Sequence, residues 1–272
     1  MKKPFDRLMF VLVWGSAALT FCTLLFLIGY IVANGLPYLT PSLFALNYST
    51  ENVSLLPALL TTVFMTALSL LLAVPLGVFT AVYLVEYAKK GNRVVKLIRM
   101  TAETLSGIPS IVYGLFGALF FVNYLKWGYS LLAGAFTLTI MILPLVMRTT
   151  EESLKSVPDA YREGAFGLGA GRLRVVFRIA LPAAAPGILA GVILAVGRIV
   201  GETAALIYTA GTVPKIPESL LSSGRTLAVH MYALSSEGLY TGQAYATAVV
   251  LLVVVVGINA LSAALAKRIA RG

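Results

Sequence analysis

The chain has 272 residues, of which 59% are hydrophobic and only 12% are charged, and its mean hydropathy is +0.90. Soluble domains are about 45–50% apolar and about 25% charged, so this composition excludes a soluble enzyme, a disordered chain and a nucleic-acid-binding domain. It predicts an all-α, polytopic membrane protein in contact with lipid. One His and one Cys are too few for a metal site or a disulfide framework within the chain.

Six apolar stretches are long enough to cross a bilayer, which takes about 20 residues. The first is longer than the apolar core of a cleaved signal peptide, so we expect it to remain in the chain as a membrane span. The six predicted transmembrane helices are Leu8–Ala33, Leu56–Val85, Leu105–Leu125, Ser130–Met147, Ala183–Ala210 and Ala244–Ala266.

The net charge of +10 is concentrated in alternate connecting segments. Most of the 21 Lys and Arg residues lie before the first span, after the second and fourth spans, and after the sixth. Cytoplasmic loops are enriched in Lys and Arg, so both termini are predicted to be cytoplasmic. The predicted division is an N-terminal helix with an outer loop (1–55), a transport domain (56–266) and a cytoplasmic tail (267–272).

The third span opens with Gly107 and Pro109, which weaken a helix because proline lacks a backbone donor. Two interpretations remain open for this break. It is a simple kink, or it is a hinge or pore-lining interruption of the span.

The long basic segment at about 151–182 is too regular for a plain connector. Ser156 is predicted to cap a helix that runs through Ala160–Leu168 and ends at Gly169. The helix either lies on anionic lipid or is presented to a cytoplasmic partner.

The fifth span carries two Gly-x-x-x-Gly pairs, which permit close approach of a neighbouring helix. At about 100° per residue, the four glycines share one stripe of the helix with Arg198 and Glu202. These glycines are Gly187, Gly191, Gly197 and Gly201.

Arg198 and Glu202 are the charged residues of this span, and their spacing of four predicts an ion pair on one helix face. One interpretation is that the pair only fixes packing. The other is that Arg198 lines the path of an anion, because its guanidinium donates two parallel hydrogen bonds to an oxyanion, while Glu202 weakens the binding.

The run Glu163-Gly164-Ala165, followed by Gly169 and by Ile179-x-Leu181-Pro182, resembles the EAA loop of ABC importer permeases. The resemblance implies the type I (MetI-like) permease fold. It also implies that the 151–182 segment forms a coupling helix, in which Glu163, Ala165 and Gly169 contact an ATPase subunit. In that family the partner uses the ATP, so the resemblance implies no cofactor and no enzymatic activity in this chain.

Three further segments resemble the PstA-type permeases of phosphate importers. They are Gly107–Gly117, Gly201–Ala204 and Thr226–Tyr232 with Glu237-Gly238. The resemblance implies a heterodimer with a PstC-like permease and a PstB-like ATPase dimer, in the plasma membrane of a bacterium or archaeon. A PstS-like binding protein would deliver phosphate to the outer surfaces 34–55 and 211–243, where His230 is expected to be exposed.

Three alternatives remain open at this point. The same architecture can carry another oxyanion, such as molybdate or sulfate. A secondary transporter driven by an ion gradient is a second possibility, and a membrane partner for phosphate sensing is a third.

Overall fold

The computed structural model describes residues 3–89 and 91–269, and in this part of the chain all regular structure is helical. The eleven α-helices of the described residues, in chain order, are α1 (Lys3–Gly35), α2 (Leu56–Val82), α3 (Arg93–Ser106), α4 (Ser110–Gly117), α5 (Leu131–Lys155), α6 (Asp159–Gly167), α7 (Arg172–Val175), α8 (Leu181–Val200), α9 (Ala204–Ile207), α10 (Leu227–Glu237) and α11 (Thr241–Ile269). Wider π-helical turns extend α2 through Tyr83–Tyr87, extend α4 through Ala118–Tyr124 and join α7 to α8.

Five continuous helical segments are long and apolar enough to span a membrane, and the pair α3–α4 brings the number to six if it is counted as one span. This agrees with the predicted all-α bundle of six spans. Helix α11 continues to Ile269, so the predicted tail at 267–272 begins within the helix, and residues 270–272 lie outside the described residues. The domain division at residues 55 and 266 stays a prediction.

The third span differs from the prediction of one helix over Leu105–Leu125. Helices α3 and α4 meet at an angle of 102°, with Gly107–Pro109 in the corner between them. Leu105 therefore belongs to the preceding amphipathic helix. Proline disfavours a helical conformation in the residue before it, which explains why α3 ends ahead of Pro109.

The fifth span differs from the predicted Ala183–Ala210 at both ends. Its continuous helix runs over Arg172–Val200, and the chain turns after Val200 before the short helix α9. The fourth is longer than predicted, since α5 continues from the predicted end at Met147 to Lys155. The predicted helix start at Ser156 is wrong. Ser156 instead terminates α5, and its hydroxyl donates to the Ser153 carbonyl.

Helix α5 lies at the centre of the bundle, between α2 and α8. Its fully buried side chains include Leu138, Met141 and Ile142. Helix α1 lies at the periphery and packs along α11, where the Tyr30 ring meets the edge of the Tyr245 ring.

Two ends of the bundle can be distinguished. At the end that we call the basic end, α2 stops at Tyr87, α5 stops at Lys155, and helices α3, α6 and α7 lie nearby. At the opposite end, the segment 36–55 packs against α10. The Thr62 hydroxyl of α2 accepts a hydrogen bond from the Leu227 amide there, which fixes the start of α10.

Candidate functional site

A charged cavity of about 370 Å³ opens between α3, α5 and α8 towards the basic end of the bundle. Its rim combines four basic with three acidic side chains, which is unusual inside an apolar bundle because charged groups are costly at membrane depth. The basic residues are Arg99, Arg148, Lys155 and Arg198, and the acidic residues are Glu103, Glu151 and Glu152. We call it the central cavity.

Three of the four basic residues are paired with acidic residues from α5. Glu151, which is only 6% exposed, binds Arg99 of α3 at 2.8 Å and Lys155 at 2.6 Å through Oε1. Arg148 and Glu152 form a more exposed pair with a separation of 3.3 Å. The Arg99–Glu151 pair joins α3 to α5, and the three pairs together neutralise most of the charge around the cavity.

Arg198 is the exception. Within residues 3–89 and 91–269 it forms no ion pair, so the predicted pair with Glu202 is wrong. The reason is that α8 ends at Val200, so Arg198 and Glu202 do not share a continuous helix. The buried Glu202 instead accepts a hydrogen bond from the Ala205 amide at 3.0 Å, at the start of α9.

The two glycine pairs of α8 have different surroundings. A Cβ added to Gly191 would lie 2.6 Å from Thr149 Cβ, and one added to Gly187 would lie 2.9 Å from Ser153 Cβ, so this pair allows α8 to approach α5 closely. No atom lies within 4 Å of a Cβ added to Gly197, and one added to Gly201 would meet only the Gly197 carbonyl oxygen. The second pair therefore leaves an open surface next to Arg198.

The corner at Gly107–Pro109 follows directly after Ser106, the last residue of α3, which contributes to the wall of the central cavity. The Tyr113 hydroxyl donates to the Leu105 carbonyl at 2.7 Å, which satisfies a backbone acceptor at the end of α3. A Cβ added to Gly107 would meet only the Thr104 carbonyl oxygen, at 3.6 Å. The break is thus held by a hydrogen bond across the corner.

Helix α6 occupies the predicted position of the coupling helix. Glu163 is exposed, and Gly169 follows the helix in a left-handed conformation with φ +82°, which glycine adopts at little cost. Ala165 is only 8% exposed and packs inside the loop. Glu163 and Gly169 lie on the surface, whereas Ala165 faces the interior of the loop, and the contact of these three residues with an ATPase stays a prediction.

Large apolar side chains are exposed around α6 and α7. Leu168 is 92% exposed, and the others are between about half and two thirds exposed. Exposed apolar clusters of this kind mark interaction surfaces. We call this set the apolar loop surface, which comprises Tyr161, Phe166, Leu168, Leu173 and Phe177.

The contact that fixes α6 to the membrane bundle joins residues far apart in the chain and is not predicted from the sequence. The Arg162 guanidinium binds Glu86 at the end of α2, with Nη2 2.8 Å and Nε 3.1 Å from Oε1. It also donates to the carbonyl oxygens of Leu154 and Val157. The sequence offers one signal for such a contact, which is the single acidic residue Glu86 just before the basic segment 89–99.

His230 is fully buried at the end opposite the basic end, so its predicted exposure to a binding protein is wrong. Tyr48 explains the burial, since its ring meets the edge of the imidazole and also lies 4.8 Å from the Arg225 guanidinium carbon. Burial and the Arg225 charge lower the pKa of His230 to about 3. The imidazole is therefore neutral at physiological pH.

No group of three or more His, Cys, Asp or Glu side chains suited to a metal ion occurs in the described ranges. The functional features of the described chain are therefore the central cavity with its unpaired arginine and the apolar loop surface at the basic end.

Comparison with known proteins gives a consistent family. Residues 73–271 match the family described as "Binding-protein-dependent transport system inner membrane component". The chain is 36% identical over 243 residues to the probable ABC transporter permease protein YqgI of Bacillus subtilis, covering 82% of this chain and 81% of that protein. It is also 36% identical over 211 residues to the phosphate transport system permease protein PstA of Haemophilus influenzae, covering 77% and 74% of the two chains.

The fold also has relatives among solved structures. A chain of a bacterial alginate ABC transporter, crystallised with a periplasmic protein bound to an alginate pentasaccharide, superposes with a TM-score of 0.73. The match covers 99% of this chain and 98% of that chain at 17% identity. This similarity supports the predicted type I importer permease fold and carries no information on the substrate.

Proposed function

Because the chain belongs to the family of binding-protein-dependent transport system inner membrane components, we propose that it is the PstA-type permease subunit of an ATP-driven inorganic phosphate importer. Members of this family are ABC transporter permeases, which are transport subunits rather than enzymes. Such a permease works with a second permease, an ATPase and a binding protein.

The observation that carries the proposal is the unpaired Arg198 in the central cavity. A guanidinium matches the geometry of phosphate, because its planar fork donates two parallel hydrogen bonds. The other basic residues of the cavity are held by Glu151 and Glu152. A single free cation attracts an anion without holding it tightly, as transport requires.

The ATPase is proposed to bind at the basic end, which we assign to the cytoplasm together with both chain termini. The apolar loop surface would meet a PstB-like ATPase dimer, which consumes the ATP, so this chain needs no cofactor. Arg162 would transmit the movement of α6 to α2 through Glu86.

The remaining partners are proposed on the other faces. A PstC-like permease would cover the open surface at Gly197 and Gly201, which places Arg198 near the contact between the two permeases. A PstS-like binding protein would deliver phosphate to the segments 34–55 and 211–243. The membrane is the inner, or plasma, membrane of a bacterium or archaeon.

The test is phosphate uptake by the purified complex reconstituted in liposomes. Arg198→Gln is expected to lower uptake by roughly 10-fold or more, since a charge-assisted hydrogen bond contributes about 1.5–3 kcal/mol. Arg198→Lys keeps the charge and should retain part of the activity. Lys126→Gln is the matched control, because it removes one charge from an exposed residue remote from the cavity. Normal uptake by Arg198→Gln would contradict the proposal.

A second candidate is import of another tetrahedral oxyanion, such as sulfate or molybdate. The two parallel hydrogen bonds that the Arg198 guanidinium can donate fit sulfate and molybdate as well as phosphate, because guanidinium geometry does not distinguish these anions. Competition by unlabelled sulfate or molybdate against labelled phosphate separates the two candidates.

A further inference from the structure

A second cavity, of about 500 Å³, lies at the basic end between the end of α2 and the first half of α3. Four basic side chains line it, and none of the described lining residues is acidic. The basic residues are Lys89, Lys96, Arg99 and Lys155. We call it the basic pocket. Arg99 and Lys155 line both cavities, so the two are neighbours around Glu151.

The basic pocket carries uncompensated positive charge. Arg99 and Lys155 share the single carboxylate of Glu151. Lys89 and Lys96 form no ion pair with any residue in the described ranges. An anionic ligand would complement this charge, and ammonium groups bind phosphate oxygens well.

One wall of the pocket is apolar. It is formed by Leu84 and Val85 at the end of α2 and by Val95 of α3. A free inorganic anion gains nothing from such a wall. A molecule with a charged head and an apolar body can use both parts of the pocket.

Helix α3 extends this pattern beyond the pocket. Val95 is buried against the bundle, whereas Val94 and Leu97 are both more than half exposed on the other side of the helix. At about 100° per residue, Arg99 lies about 40° from Val95, and Lys96 lies about 100° from both Val95 and Leu97, so the basic residues are between the buried side and the exposed apolar side of the helix. An amphipathic helix with exposed apolar residues and a basic face is typical of the membrane interface.

The position of α3 fits that interface. Helix α2 ends its apolar span at Tyr87, only a few residues before α3 begins, and the 102° angle to α4 turns α3 across the direction of the span. The basic pocket is therefore level with the lipid headgroups if α2 spans the bilayer. Basic pockets at this level are suited to anionic lipid headgroups.

We propose that the basic pocket binds the phosphodiester headgroup of an anionic phospholipid, with the acyl chains against Val85 and the exposed apolar side of α3. Inorganic phosphate offers the same oxyanion chemistry, so it is the competing occupant. The apolar wall favours the lipid. This proposal stands apart from the proposed transport function, since it concerns the end of α2 and α3 and needs no movement of substrate.

Native mass spectrometry of the purified complex tests the proposal. The complex is incubated with phosphatidylglycerol or with phosphatidylcholine, and the retained lipid is counted. Phosphatidylglycerol should be retained preferentially. The double variant Lys89→Gln, Lys96→Gln should lose this retention by roughly 10-fold or more, since each basic residue near an anionic lipid contributes about fivefold. The double variant Lys126→Gln, Lys215→Gln removes the same charge outside the basic pocket and should retain phosphatidylglycerol to the same extent as the wild type.

A second measurement uses the unmodified protein, so it does not depend on the folding of a variant. Photoactivatable phosphatidylglycerol should crosslink to peptides that contain residues 84–99. Equal retention of the two lipids, an equal loss in the two double variants, or crosslinking only outside this segment would overturn the proposal. Displacement of phosphatidylglycerol by inorganic phosphate would also overturn it and would assign the pocket to the free anion.

Discussion

Arg162 and Glu86 are 76 residues apart in the chain, and their side chains form an ion pair of 2.8 Å between the coupling helix α6 and the end of α2. Both side chains are largely buried, and Arg162 additionally holds two backbone carbonyl oxygens. This arrangement makes α6 part of the bundle rather than a free loop. Arg162 is therefore the direct contact between α6 and the end of a membrane span.

Glu86→Gln is expected to destabilise the basic end, because it leaves the buried Arg162 guanidinium with only the exposed Asp159 as its counterion. Loss of one partner of a buried pair costs about 3 kcal/mol or more. The thermal midpoint of the complex measures this effect. Arg148→Gln is the control, since it breaks the exposed pair with Glu152 and should cost less than about 1 kcal/mol. Equal shifts for the two variants would show that the Arg162 contact has no special weight.

Close packing of α5 on α8 leads to a second prediction. Gly191→Ala should lower the thermal midpoint, because the new methyl group collides with Thr149 and overpacking costs about 1–3 kcal/mol. Gly197→Ala on the same helix has open space and should have a smaller effect. If the two substitutions lower the midpoint equally, the close approach of α8 to α5 at Gly191 is wrong.

The apolar loop surface leads to a third prediction. Leu168→Glu should release the ATPase during purification, because a charge would be buried at an apolar contact, while the fold of the permease remains intact. Leu239→Glu is the matched control, since Leu239 is 79% exposed in the segment after α10. Retention of the ATPase by the Leu168 variant would place the docking surface elsewhere.

Buried His230 leads to a prediction about pH. The pKa of the His230 imidazole is about 3 in the folded protein, below its value near 6.5 in the unfolded chain. At a pH between these two pKa values, the imidazole is protonated only in the unfolded chain. Stability should therefore decrease as the pH falls below about 6.5, by at most about 1.4 kcal/mol per pH unit. The thermal midpoint of the wild type should drop between about pH 7.5 and about pH 5.5, and the drop should be smaller for His230→Gln. An identical drop in the two proteins would assign it to other groups.

The parts of the fold that could be predicted from the sequence are those set by local composition. Apolar runs of span length identify the transmembrane helices, and the weak helix formers Gly107 and Pro109 mark the place where the third span breaks. The 102° bend itself could not be predicted. It depends on how α3 packs against α5, which is a contact between distant residues.

The errors have the same physical origin. A spacing of four predicted that Arg198 and Glu202 pair, but that inference holds only on a continuous helix, and α8 ends between them. The burial of His230 could not be predicted, because it depends on contact with Tyr48, which lies far away in the chain. The pairs of Glu86 with Arg162 and Arg99 with Glu151 were missed, since each joins residues from different helices.

Phosphate accumulation in liposomes by the purified complex tests the central claim most directly. Labelled phosphate is expected to accumulate only when the binding protein is present outside and ATP is supplied on the side of the ATPase. Sodium or proton gradients are not expected to replace ATP. Accumulation driven by an ion gradient in the absence of ATP, or equal accumulation of sulfate or molybdate, would contradict this claim.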